Sequence, residues 1–152
     1  MKSNIFSKLN GDKLKIAIVR ARFNSQITDK LAQGALAALK LAGVKSANIS
    51  VHETPGSFEI PLVCQKLART RKYHGIITIG AIIKGETAHF EYISQAAIGG
   101  VTQVMLAERL PITLGIITTY NLRQAQARCR ADQANKGYEA ALALVEMILN
   151  YK

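Results

Sequence analysis

The sequence predicts an α/β protein, a three-layer α/β/α sandwich built around a four-stranded parallel sheet. Two observations carry that prediction. Short apolar runs rich in β-branched residues alternate with stretches whose apolar residues recur at helical spacing, in the order βαβαβαβαα. The run Gly75-Ile-Ile-Thr-Ile-Gly80-Ala-Ile-Ile83 is apolar without alternation, as a central strand covered on both faces requires.

Taken in order, Lys15-Ile-Ala-Ile-Val-Arg20 has the length and composition of a first strand. Asn24 and Ser25 are candidate caps for a helix carrying Ile27, Leu31, Gly34, Ala35, Ala38, Leu39 and Ala42 on one side, stopped by Gly43. Asn48 to Thr54 reads as the second strand, broken by Pro55-Gly56. Phe58, Ile60, Val63, Cys64 and Leu67 then trace the apolar side of a helix ending near Arg71, with Pro61 in the first turn, where its missing N–H is not needed. After the Gly75–Ile83 strand, a helix follows Gly85-Glu86-Thr87 and runs to about Glu108. Pro111 introduces the fourth strand, Ile112 to Thr119, and two helices, about Asn121 to Arg130 and Asn135 to Tyr151, close the chain. The βαβ order calls for right-handed crossovers with helices on both faces, and the architecture resembles flavodoxin. In such sheets ligands bind beyond the carboxyl ends of the strands. The residues there are Arg22-Phe23-Asn24, Pro55 to Glu59, Gly80 to His89, and Thr118-Thr119.

A chain of 152 residues that is 49% apolar makes one compact domain with a real core. Residues 1–12 read as an N-terminal arm and 13–152 as the single domain. The longest apolar stretches, such as Ile76 to Ile83, fall short of the roughly 20 residues that span a bilayer, and no secretory pattern opens the chain. A soluble cytoplasmic protein with no membrane partner is expected. Cys64 and Cys129 stand on separate predicted helices without metal-ligand spacing, which speaks for a reducing compartment and against zinc or a disulfide. The net charge of +10 raises the question of nucleic acid. However, the charges are spread from Lys2 to Lys152, the densest run is Arg69, Arg71 and Lys72 at a helix end, and no aromatic platform accompanies them. A solvated basic surface is the expectation, and specific nucleic-acid binding is not indicated.

Lys84-Gly-Glu-Thr-Ala-His89 lies where the third strand turns into a helix, so Gly85, Glu86 and Thr87 can offer backbone N–H groups and a hydroxyl to an anion. The same residues also serve as an ordinary turn and cap. The segment lacks both the Walker ending and GxGxxG spacing, which leaves nucleotides without support. His89, in the first turn, is the best acid/base candidate of three histidines, because a neutral imidazole at a helix N-terminus suits a proton acceptor. His52 in a strand and His74 in a loop read as bystanders. Glu59 is either a first-turn acid complementing the helix dipole or a ligand group; Phe23 is either edge core or a stacking platform; Arg128 either favours a helix C-terminus or reaches a phosphate across a subunit boundary.

The motifs Ala21-Arg-Phe-Asn24, Pro55-Gly-Ser-Phe-Glu-Ile-Pro61, Gly80-Ala-Ile-Ile-Lys-Gly-Glu-Thr-Ala-His-Phe-Glu91, Gly115-Ile-Ile-Thr-Thr119 and Asn135-Lys-Gly137 with Glu139-Ala-Ala141 together resemble the lumazine synthase family, from about Lys13 to Met147. The resemblance implies a cofactor-free and metal-free transferase of riboflavin biosynthesis. It would condense 5-amino-6-(D-ribitylamino)uracil with 3,4-dihydroxy-2-butanone 4-phosphate to form 6,7-dimethyl-8-ribityllumazine, and it would work as a homo-oligomer, a pentamer or a shell of pentamers. It also implies site roles. Phe23 stacks on the pyrimidinedione; Ser57, Phe58 and Glu59 hold the ribityl chain; Ala81, Ile82 and Ile83 contact the heterocycle through their backbone. Glu86 and Thr87 form the phosphate loop, Arg128 and Lys136 bring positive charge from the adjoining subunit, and His89 transfers protons. Leu114 stands over the heterocycle where relatives commonly have an aromatic. The Cys129-Arg130-Ala-Asp132 turn, Tyr120 and Arg123 also depart from the family pattern. Competing readings are an archaeal-type riboflavin synthase, which lacks the Gly-Glu-Thr-Ala-His pattern, and a non-catalytic flavin-binding or shell-forming protein on the same fold.

Overall fold

A computed structural model of the chain describes residues 9–151. The element order is β1 (Ile16–Ala21), α1 (Ser25–Leu41), β2 (Ile49–Thr54), α2 (Ile60–Arg69), β3 (Gly75–Ile83), α3 (His89–Glu108), β4 (Ile112–Thr119), α4 (Leu122–Arg128) and α5 (Lys136–Asn150). All strand pairs are parallel and the sheet order is β2-β1-β3-β4. The expected α/β/α sandwich is present.

The alternation of side chains along a strand assigns the two cores. Ile16 and Ile18 of β1, with Ile77 and Ile79 of β3, face α1 and α5 and bury against Leu31, Leu39, Leu144 and Val145. Ala17 and Val19, with Ile76 and Ile82, face α2 and α3 and bury against Ile60, Cys64 and Val101. Covering both faces explains why β3 reads as a continuous apolar run, since eight of its nine positions are buried. α1 stops as expected. Gly43 takes φ 81°, and the N–H of Val44 returns to the Leu39 carbonyl at 2.9 Å.

Three expectations need correction. Phe58 does not belong to the helix: Ser57–Glu59 form a separate 3₁₀ turn, α2 begins only at Ile60, and the Phe58 ring is exposed. Pro61 forces this arrangement, because no regular helix can extend far on its N-terminal side. Second, Asn24 occupies the cap position of α1 but makes no side-chain cap bond; its amide is used elsewhere, as described below. Third, α2 ends at Arg69, and Arg71 has already turned into the left-handed region at φ 56°. The expected arm falls largely outside the described residues. Its last residues lie on the body of the domain, with Leu9 packed against the core and the Gly11 N–H bonded to the Ala42 carbonyl at 2.8 Å.

Candidate active site

At the carboxyl end of the sheet a cleft of about 610 Å³ opens between the ends of β1, β2 and β3 and the start of α3. Each wall has a local cause. β1 continues its pairing with β2 for two residues beyond its own end: the Arg22 N–H donates to the Thr54 carbonyl at 2.8 Å and the Phe23 N–H to the Pro55 carbonyl at 3.1 Å. Asn24 then takes left-handed backbone angles, φ 57° and ψ 45°, and turns the chain into α1. This turn leaves the Phe23 ring 70% exposed over the cleft.

The second wall is the Pro55–Glu59 turn. The Thr54 hydroxyl donates to the Gly56 carbonyl at 2.8 Å, and the Gly56 N–H donates to Glu59 Oε2 at 2.9 Å. Glu59 thus stabilises its own turn with one carboxylate oxygen and remains exposed on the cleft side. Ser57 is buried against Gly80, where a Cβ would come within 2.4 Å of the Ser57 Oγ; only glycine admits that approach. Ala81, Ile82 and Ile83 at the end of β3 form the floor.

The mouth is the turn from β3 into α3. The Lys84 N–H donates to the Thr119 carbonyl at 2.9 Å, and the Thr87 hydroxyl accepts from the His89 N–H at 3.4 Å. Among the described residues no acceptor pairs with the N–H groups of Gly85, Glu86, Thr87 or Ala88, so the turn presents unpaired donors at the start of a 20-residue helix. His89 opens α3 with its ring exposed to the cleft, and Phe90 and Ile93 follow on the same wall. Outside them Lys84 pairs with Glu91 at 3.0 Å and lies about 6 Å from the Phe90 and Tyr120 ring centroids. That ammonium holds the Glu91 carboxyl below its ordinary value.

Of the residues singled out in the sequence, Phe23, Ser57, Phe58, Glu59, Ala81, Ile82, Ile83, Thr87 and His89 line this one cleft. Glu86 stands in the mouth turn with its side chain outside the lining. Leu114, Arg128 and Lys136 are elsewhere. Leu114 pairs in register with Thr78, well before the end of β3, and is 46% exposed on the edge strand. Arg128 donates to the Gln124 carbonyl at 3.1 Å, and Lys136 pairs with Glu139 at 2.8 Å. Asn24, Phe90 and Ile93 were not singled out as site residues. For Phe90 and Ile93 the signal was the three-residue spacing on α3 beside His89. His52 and His74 are held in structural bonds: His52 Nε2 lies 3.0 Å from the Ser50 hydroxyl, and His74 Nδ1 accepts the Lys15 N–H at 2.9 Å.

The cleft offers an exposed ring, an apolar floor, polar groups at one end, and unpaired backbone donors beside an imidazole at the other. It defines an α/β enzyme-type site at the carboxyl ends of parallel strands, suited to a planar polar ligand together with an anionic one. The family model for 6,7-dimethyl-8-ribityllumazine synthase matches residues 13–152. A protein named 6,7-dimethyl-8-ribityllumazine synthase from Desulfovibrio desulfuricans is 44% identical over 144 residues, covering 95% of this chain and 92% of that protein. One of the same name from Clostridium kluyveri is 44% identical over 140 residues, covering 92% and 91%. The chain belongs to the 6,7-dimethyl-8-ribityllumazine synthase family.

Proposed function

We propose that this protein condenses 5-amino-6-(D-ribitylamino)uracil with 3,4-dihydroxy-2-butanone 4-phosphate, forming 6,7-dimethyl-8-ribityllumazine with loss of water and phosphate. The observation that carries the reading is the arrangement of Phe23, Glu59, Thr87 and His89 around one floor in a chain of this family. The substrate's own amine attacks the ketone, so the protein need not supply a nucleophile. Its work is to juxtapose two molecules, which contributes up to about 7–11 kcal/mol in favourable cases, and to move protons and stabilise the departing phosphate. In this reading the uracil stacks on Phe23 above Ala81–Ile83. Ser57, Phe58 and Glu59 take the ribityl chain, the donors around Glu86 and Thr87 take the phosphate, and His89 shuttles protons.

The active unit in this reading is a cyclic pentamer, either free or closed into a shell, acting in the cytoplasm. Two features support assembly. Leu114, Arg128 and Lys136 lie away from the cleft of their own chain, so their family roles require a neighbouring copy. Apolar surface is also left open on α3 and β4, where Tyr92, Leu106 and Leu114 are exposed. Heterologous contacts of this kind close into rings when the rotation permits. Free, buried Cys64 and Cys129 fit a reducing compartment.

The test is turnover. Purified protein given the two substrates and a chelator should form the fluorescent lumazine and release phosphate in equal amounts. Conversion no faster than the uncatalysed mixture would remove the activity. Light scattering under assay conditions should show a pentamer or a multiple of it, and an active monomer would defeat the shared-site reading.

A further inference from the structure

The β1–β3 ladder stops at Arg20 and Ile79, while β3 runs on to Ile83. Past Ile79 no strand of β1 is available to satisfy the edge of β3 that faces it. The Asn24 side chain takes over there: its Nδ2 donates to the Ala81 carbonyl at 2.8 Å, spanning 57 positions in sequence. An unpaired carbonyl at this buried position would cost free energy, and the amide removes that cost. Asn24 also supplies the left-handed turn, which asparagine tolerates better than other residues with a side chain.

These two properties converge on the neighbouring residue. The Phe23 ring is mostly exposed, so side-chain packing does not hold it; its backbone is fastened on one side by the Pro55 carbonyl and on the other by the Asn24 strap to Ala81. We infer that Asn24 is a positioning residue, and that its bond to Ala81 sets the gap between the Phe23 ring and the Ala81–Ile83 floor. The gap selects a planar ligand one ring thick, so Asn24 governs affinity for the heterocyclic substrate and leaves the phosphate substrate to the mouth of the cleft. The inference rests on the stacking role proposed above.

The strap and the turn are separable by substitution. Asn24→Gly keeps the left-handed backbone and deletes the amide; Asn24→Asp keeps shape and turn tolerance while setting a carboxylate oxygen against the Ala81 carbonyl. Each folded variant, checked by circular dichroism, should bind riboflavin roughly three- to tenfold more weakly, with less quenching of flavin fluorescence. KM for the uracil substrate should rise by a similar factor and KM for the phosphate substrate should stay within twofold. In a Phe23→Leu background Asn24→Gly should have little further effect, because the strap acts through the ring. Wild-type riboflavin affinity in Asn24→Gly, or an equal loss with and without Phe23, overturns the inference. Wild-type protein that makes no lumazine overturns the proposed activity instead, and the riboflavin titration still decides Asn24.

Discussion

Asn135 joins the end of the α4–α5 turn to α1, and its replacement should be among the most damaging polar substitutions in the protein. The side chain is 1% exposed. Its Oδ1 accepts the N–H groups of Gly137 at 2.8 Å and Tyr138 at 3.2 Å, capping α5, while Nδ2 donates to the carbonyls of Lys30 and Arg130, both at 3.0 Å. The fit around it is close: a Cβ at Gly34 would lie 2.3 Å from Asn135 Oδ1, and one at Gly137 would lie 1.9 Å from the Leu31 carbonyl oxygen. Asn135→Ala removes a helix cap, about 1 kcal/mol, and two amide hydrogen bonds of about 1 kcal/mol each, for a total near 3 kcal/mol. A domain of this size shifts its unfolding midpoint by about 2–4 °C per kcal/mol, so the variant should melt about 6–12 °C lower at equal protein concentration. Asn135→Asp separates the contributions. It keeps the cap acceptor but turns a carboxylate toward two carbonyls, and should also lose stability. Thermal unfolding followed by circular dichroism decides the matter; an alanine variant within about 2 °C of wild type would refute the reasoning, since losing a helix cap and two further hydrogen bonds in a buried site must cost more than that.

Four further outcomes are expected. His89→Ala should lower turnover by roughly 10²-fold with little change in substrate affinity, as removal of a positioned acid or base does; wild-type turnover would exclude His89 from proton transfer. Arg128→Ala should weaken the phosphate substrate roughly ten- to hundredfold, the effect of a charge-assisted contact worth about 1.5–3 kcal/mol, and a loss confined to the uracil substrate would show the assigned role to be wrong. Leu114→Phe should tighten uracil and riboflavin binding roughly two- to twelvefold through aromatic pairing, checked by titration of folded mutant; unchanged affinity means that Leu114 lines no heterocycle site in the assembly. Burial pushes the Cys64 thiol up to about 12 from an ordinary 9.0. Because the folded state then holds its proton more tightly than the unfolded chain, this contribution is intact below about pH 9 and is lost as the pH climbs toward 12. Wild-type stability should therefore fall more steeply from pH 9 to 11 than that of Cys64→Ala, and parallel curves would argue against a buried thiol.

The strands, the helices and the end of the sheet at which the cleft opens were all legible in residue order. Local backbone preference and apolar period are encoded within a few positions: Gly75–Ile83 is continuous because both faces are covered, Gly43 stops α1 because it can adopt a positive φ, and Pro61 belongs to a first turn. The motifs at the strand ends named most of the cleft for the same reason, since parallel strands bring their carboxyl ends together whatever their order. Partnership across the sheet was not legible. Asn24 looked like a helix cap because its type and place suit one, but its amide is taken by Ala81, a residue 57 positions away that comes within reach only once β1 and β3 are in register. Phe58 fitted a helical period and proved to lie in the turn before it. The resemblance gives Leu114 and Arg128 roles in one site with Phe23 and His89, but in the folded chain they stand apart from the cleft, Leu114 set by its register with Thr78 and Arg128 by α4. Such separations depend on strand order and on long-range packing, and neither leaves a trace in the spacing of nearby residues.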